Sequence, residues 1–366
     1  SKSDDVVNDD DEEEEDDSDA DDDSEETLKH LKELITNKIN PTFKKLDISS
    51  FTIQTKKAAS NIKPITDGQQ LKVMKWVLPN QQQCVFMKQF TGLELQTLSE
   101  NIQDGSITAM NIAYRAIYDH IVSNKPKKFT DWLAVTPDSD IDHYMFCVFI
   151  ASYKGTNFLP MECSNDNCPD PTFLTDDIPI MDMVKFTDDD AKNKFMKIYK
   201  SEIVYSNHAG YYTTVATPVS NKIAIEFKES TLKDVIDLDT LDERFRTRYR
   251  TIVNLLPYID QMYQIDIENQ SLIPIKYNEY DNNVSKTLRS KIRKYAKVID
   301  TLDSDEFGVI NAIVQDISSR EDMISYVIPE VECPACGQKI EETPTSATQL
   351  VFTRYQLGAL VNTSLS

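Results

Sequence analysis

Four of the six cysteines fall in two short pairs. Cys163 and Cys168 stand in Met-Glu-Cys-Ser-Asn-Asp-Asn-Cys-Pro-Asp, and Cys333 and Cys336 in Val-Glu-Cys-Pro-Ala-Cys-Gly-Gln-Lys. Zn²⁺ takes four soft ligands at the corners of a tetrahedron, and a short Cys-loop-Cys turn offers two thiolates at once. The second pair carries the clearer signal, since Pro334 stiffens its turn and Gly337 lets the backbone curl beneath a metal. Taken together, Cys163, Cys168, Cys333 and Cys336 make one four-thiolate zinc site. Such a site is structural, because four protein ligands leave no open position for substrate. The competing readings are disulfides and unrelated free thiols. Disulfides belong to oxidising compartments, and the acidic N-terminal run has neither the basic nor the apolar region of a secretory signal. Cys84 and Cys147 lie in apolar stretches and read as small core residues.

Catalytic patterns are weak by comparison. The four histidines, His30, His120, His143 and His208, are isolated from one another and from any HExxH pattern. His143 lies in the most apolar helical stretch and reads as a hydrogen-bonded core residue. With only 8 glycines, the chain has no GxGxxG, GxxxxGK[ST] or GxSxG pattern. The run Asp188-Asp189-Asp190 reads as the acid-rich start of a helix, favoured by the helix dipole without any metal. These observations predict a protein that is not an enzyme.

Charge is distributed unevenly. The net charge is −22, and the first 26 residues hold 17 acids and one lysine, so the other 340 residues are only mildly acidic. A segment of this composition repels itself and lacks the apolar residues for collapse, so residues 1–27 are expected to form an acidic arm. The arm is either a solubilising tail or a segment that docks on a basic surface. One such surface is predicted on a helix over 282–302. Lys286, Arg289, Arg293 and Lys297 recur there at spacings of three and four and share a face, beside an apolar stripe of Leu288, Ile292, Tyr295 and Ile299. The face is either simply solvated or a contact for an acidic segment or nucleic acid. Nucleic acid is disfavoured because the arm would compete with phosphates; protein contact is the better reading. Arg244, Arg246, Arg248 and Arg250 form a second basic cluster, spread around its helix. No stretch approaches the roughly 18 apolar residues of a membrane helix.

The elements that must position these residues are legible in outline. A helix is expected over 24–39 and a strand over 49–56. A hairpin over 70–90 turns at Pro79-Asn80-Gln81-Gln82, and Thr91-Gly92-Leu93-Glu94 matches a capping box. A helix follows over 107–123, and Thr136, as N-cap ahead of Pro137, opens a central apolar helix. A strand over 156–162 leads into the first cysteine pair. Beyond it, strands are predicted over 178–181, 211–216, 222–227 and 264–276. Helices are predicted over 188–199, 230–237, 240–263, 282–302, 305–319 and 347–360. This is an α+β layout without regular βαβ alternation.

The stretch from Trp76 to Cys168 resembles the baseplate hub subunit family of T-even-type contractile-tailed bacteriophages. The resemblance is carried by the order and spacing of Leu78-Pro79-Asn80, Thr91-Gly92-Leu93-Glu94-Leu95, the Thr136/Asp138/Asp140 helix start, and Ser152-Tyr153-Lys154-Gly155 before Cys163-x4-Cys168. It covers roughly a quarter of the chain and departs from the family in length and in a missing glycine in the Pro79–Gln83 turn. It implies a structural subunit of the tail's central hub, located in the virion after assembly in the host cytoplasm, with other tail or baseplate proteins as partners and self-association in the particle as a further option. The expected organisation is an acidic arm (1–27), a helix-rich hub-type domain (28–168) ending in the first zinc knuckle, an inserted α+β domain (169–332), and the second knuckle with a C-terminal helix (333–366). The alternative is a zinc-stabilised factor in transcription or another nucleic-acid process.

Overall fold

The computed structural model describes residues 29, 30, 34, 72–123, 125–153, 158–201, 215–318 and 323–363, with side chains to residue 356. The expected arm, the 49–56 strand and most of the 24–39 helix and 211–216 strand lie outside the described residues. No helix among the described residues is long and apolar enough to cross a membrane.

The first core grows from the predicted hairpin. Strands β1 (Val73–Leu78) and β2 (Gln83–Lys88) pair antiparallel, Trp76 opposite Val85. Gln82 closes the turn with φ +50°, the left-handed conformation that favours glycine, at the place where the family resemblance expects one. Helix α1 (Gly92–Asp104) starts at the predicted capping box, Thr91 and Glu94 each accepting the other's backbone N–H. Leu95 and Leu98 of α1 face inward, whereas Leu93 is exposed. Helix α2 (Ile107–His120) packs beside α1.

Two expectations give way here. Helix α3 (Phe129–Val135) occupies a stretch with no predicted element, and Thr136 is its C-cap rather than the N-cap of the next helix. Its hydroxyl donates back to Trp132 O at 2.7 Å. A 3-10 turn, Asp138–Asp140, then leads into α4 (Ile141–Ser152), whose residues are buried on nearly every side, as its composition predicts. The buried Asp140 carboxylate is committed instead to the hairpin turn, accepting from the Asn80 and Gln81 backbone N–H groups at 3.2 Å each.

Hairpin β3 (Pro160–Glu162) and β4 (Thr172–Leu174) carries the first cysteine pair between its strands. The strand expected over 178–181 is a 3-10 turn, Ile180–Met183, and β5 (Val184–Phe186) follows it. Helix α5 (Asp189–Lys200) is capped by Asp188, whose carboxylate accepts from Ala191 N at 2.7 Å.

A second core opens with β6 (Thr217–Pro218) and β7 (Ile223–Phe227). Helix α6 (Leu232–Asp239) has its own capping box, Thr231 with Asp234. The long helix expected over 240–263 is broken into α7 (Glu243–Arg248), α8 (Arg250–Leu255) and a 3-10 turn at Leu256–Tyr258. Tyr249 between them is non-helical (φ −114°, ψ 28°), and Pro257 has no N–H to continue the ladder. The chain then runs out as β8 (Ile259–Asp266) and folds back as β9 (Ser271–Pro274), where one strand was expected over 264–276. The sheet order is β6-β7-β8-β9. Helices α9 (Val284–Ile299) and α10 (Ser304–Ser318) cover it, with Ile292, Tyr295, Ile310 and Ile317 buried.

The chain then returns to the first core through β10 (Ile324–Ile328), the central strand of a sheet ordered β13-β10-β5, with β13 spanning Thr343–Thr345. Between β10 and β13 lies the short hairpin β11 (Val331–Glu332) and β12 (Lys339–Ile340), which bears the second cysteine pair. Helix α11 (Ala347–Thr363) closes the chain against α4. The boundaries expected at 169 and 332 therefore shift inward. Ile178, Met183, Phe195, Ile324 and Tyr326 all belong to the first core, and the second core's buried residues run from Val219 to Ile317. The two cores touch where Pro137 bridges Thr231 and Leu232 N donates to Thr136 O at 3.0 Å.

Helix α11 is capped locally by Ser346, whose hydroxyl accepts from Gln349 N at 3.1 Å, and again from a distance. The Asp142 carboxylate, 205 positions away in sequence, accepts from Ala347 N at 3.1 Å and Thr348 N at 3.2 Å. Asp142→Ala is expected to cost about 1–2 kcal/mol of stability, the usual worth of an N-cap, measured by denaturant unfolding. Amide exchange should accelerate selectively over 347–351; unchanged exchange there would show that packing and the local cap, in which Gln349 N donates to Ser346 Oγ and Ser346 N to Gln349 Oε1, hold the helix without Asp142.

Candidate metal centre

Each cysteine pair sits at the tip of a two-stranded hairpin, and the turn chemistry aims both sulfurs of a pair inward. In the first tip, Cys163 N donates to Pro171 O at 2.7 Å and continues the β3–β4 ladder by one step. Asn165 then bends the loop. Its carbonyl accepts from Cys168 N at 2.8 Å and its side chain from Asn167 N at 3.1 Å. In the second tip, Cys333 N donates to Gln338 O at 2.8 Å and Gly337 N to Cys333 O at 2.9 Å. Gly337 has φ +73°, which a residue with a Cβ adopts only with strain. This is the role its position after Cys336 predicts.

The two tips meet. All four Sγ atoms lie within 4.8 Å of one another, with Cys163 Sγ 3.6 Å from Cys336 Sγ and Cys168 Sγ 3.6 Å from Cys333 Sγ. A disulfide requires about 2.05 Å, and all four cysteines are free thiols. Cys163 and Cys333 are buried against Phe173, with Met161, Val331 and Ile340 around them, while Cys336 faces solvent. Asn165 Nδ2 points at Cys336 Sγ from 3.6 Å.

Protons are shared unequally among the sulfurs. The Gln338 backbone, foremost, lowers the Cys336 thiol to about 7, whereas desolvation raises Cys168 to about 12. A bound cation would favour the thiolate form of all four and release their protons, so binding is coupled to pH. Cys163, Cys168, Cys333 and Cys336 together can hold one metal ion. Asn165 and Phe173, which shape and shield the site, were not singled out in the sequence. Asn165 could have been, because an Asn between two ligands is a turn former.

The other residues of chemical interest go elsewhere. Cys84 and Cys147 are buried in the first core. His143 is buried, and burial drives its pKa down to about 3, so the ring is neutral. Trp76 Nε1 donates to Tyr326 Oη at 3.1 Å, which leaves the Tyr326 hydroxyl to donate to His143 Nδ1 at 2.7 Å. His120 stacks on Phe90 at 3.6 Å, with Nδ1 2.8 Å from Ala116 O. His208 is outside the described residues. Lys286, Arg289, Arg293 and Lys297 line one groove on α9. Arg289 also pairs with Asp242, and the Arg289 and Arg293 guanidinium groups lie over the Phe245 ring at 4.7 and 5.5 Å. In the second basic cluster, Arg246 pairs with Asp239 at 2.9 Å and Arg248 lies over Tyr249.

Comparison of the chain with protein-family models, with curated proteins and with solved structures finds no match.

Elemental analysis of protein purified under reducing conditions is expected to give one metal ion per chain. Cys333→Ser should lose most of it and deprotect the amides of 163–171 and 331–340 together, whereas Cys84→Ser should leave both unchanged. A full metal complement in Cys333→Ser would show that the four sulfurs do not act as one site.

Proposed function

We propose that the metal is Zn²⁺, held structurally, and that the chain is a structural subunit of a bacteriophage tail baseplate hub that acts in virion assembly through protein–protein contacts. The observation that carries this reading is the convergence of four sulfurs from hairpins about 165 positions apart. A tetrahedral shell with Zn–S bonds of about 2.3 Å has S···S edges of about 3.8 Å, close to the 3.6 Å of the two closest cross-hairpin contacts. Four thiolates saturate the ion, so its work is to hold two distant segments together rather than to activate water or substrate.

The assembly reading draws further support from the β8–β9 hairpin. Strand β9 is the outer strand of its sheet and exposes Leu272 and Ile273, and Ile267 at the turn is 71% exposed. An edge strand with apolar side chains is a surface that a neighbouring subunit covers. The phage setting comes from the resemblance over Trp76–Cys168.

Tetrahedral S₄ sites take zinc or iron, and the two differ in colour because Zn²⁺ is d¹⁰. Native mass spectrometry is expected to show one zinc per chain, removed by a strong chelator, with no visible absorption band. Proteomics of purified tail particles should find the chain at fixed copy number, and Ile273→Asp should reduce its incorporation without altering the monomer's circular dichroism. Absence from the particles, or turnover of a small molecule by the isolated monomer, would overturn the assembly reading.

A further inference from the structure

We propose that the basic groove along helix α9 is the receptor for the acidic segment 4–26 of the same chain. The groove has a volume of about 550 Å³ and two walls. One is the exposed side of α9. The other is the stretch of residues 276–280 that follows β9, which is pinned to the helix by its own backbone. Asn278 N donates to Ser290 Oγ and Tyr280 N to Thr287 Oγ1, each at 2.9 Å. The helix is itself capped by Asn283, which accepts from Lys286 N at 2.9 Å. The walls are therefore built before any ligand arrives.

Six cations line this groove: Lys276, Lys286, Arg289, Arg293, Lys294 and Lys297. Among the described residues only Arg289 has a carboxylate partner, Asp242. The other five have none, in a chain whose net charge is −22. Lys276, Lys286, Arg293, Lys294 and Lys297 are all exposed. Uncompensated positive charge of this density attracts an extended polyanion. The densest one the chain possesses is its own first 26 residues, with 17 acids.

Reach and concentration favour the same chain over a second copy. Twenty-six extended residues span about 90 Å, whereas a compact chain of this length has a radius of gyration of about 21 Å. Tethering raises the local concentration of a segment to roughly the millimolar range, so contacts too weak to recruit a separate molecule still hold an attached one. Exposed charge pairs are screened over about 30 Å at 0.01 M salt and about 3 Å at 1 M. The contact is thus formed at low salt and released at high salt. A polyanion docked on these cations competes for them with nucleic acid, the other polyanion that would fit.

The test uses the full chain. A mixture of ¹⁵N-labelled and unlabelled protein is treated with a zero-length carbodiimide at about 0.01 M and about 1 M salt. The expected links join acids of 4–26 to Lys276, Lys286, Lys294 or Lys297, within single-isotope chains and only at low salt. In parallel, a single-stranded DNA oligonucleotide is titrated into native protein and into a variant whose acids over 4–26 are replaced by Asn and Gln. Binding to the variant is expected to be at least tenfold tighter, and the substitutions Lys286→Glu and Lys297→Glu should remove that gain. Links only to lysines elsewhere, links only between differently labelled chains, no links, or equal oligonucleotide affinity with and without the acids would each overturn the proposal.

Discussion

The sulfurs of Cys168 and Cys333 lie 3.6 Å apart although 165 positions separate them in sequence, and most of the architecture hangs on that closure. By the chain-entropy relation for covalent cross-links, a loop of this length costs about 5 kcal/mol to close. The exposed ion pairs near the second hairpin, Lys339–Glu330 and Lys185–Glu342, contribute about 0–1 kcal/mol each. They cannot offset such a cost. A four-thiolate metal site can, since structural zinc contributes on the order of 10 kcal/mol in small domains. The hairpin β11–β12 is also the far end of a longer ribbon, because β10 and β13 leave it and pair with each other at its base. Fixing its tip to the β3–β4 tip fixes the register of the whole ribbon.

What the ribbon delivers to the first core is Tyr326. Its ring stacks on Phe146 at 4.2 Å, and its hydroxyl stands between Trp76 and His143. A buried tyrosine hydroxyl needs partners. Here the donor comes from β1, the acceptor from α4, and the tyrosine from 183 positions beyond His143. The neutrality of His143 follows from the same burial: a charged ring would lack solvent, whereas a neutral one accepts the tyrosine proton. Clasp and polar triad therefore constrain the same return of the chain, one at its tip and one at its root.

The parts legible in the sequence are those decided locally. The hairpin at 73–88, the capping box at Thr91, the acid-rich start of α5, the apolar stripe of α9 and the cysteine turns each depend on residues within a few positions of one another. The misreadings arise where a distant group decides. Thr136 has the chemistry of an N-cap, yet its neighbour Pro137 is drawn into a bridge with Thr231, and α3 ends there instead. The 240–263 stretch has helical composition throughout, but Ile259 and Met262 find a better place opposite β7 in a sheet. Strand β10 is too short to stand out and exists because β5 and β13 flank it. For the metal centre, the ligands were legible while the shield was not. Phe173 reaches it only through the β3–β4 pairing, which no spacing rule announces.

Charge in this chain is settled in two different ways. In the folded body many carboxylates are matched by backbone amides rather than by cations. Asp140 holds the hairpin turn, Asp142 caps α11, Asp188 and Asp242 cap their own helices, and Asp234 accepts from Thr231 N at the start of α6 while also pairing with Lys228. Helix N-termini present unpaired N–H groups at the positive end of the dipole, so an acid-rich sequence can fold without an equal number of lysines beside its acids. That economy leaves cations to spare, and α9 gathers them on one side. Asp242 caps α7 through one oxygen and pairs with Arg289 through the other, which is the single point among the described residues where the two systems meet in the groove. Beyond it the positive charge of α9 rests on Lys286, Arg293, Lys294 and Lys297, all exposed along one side of the helix.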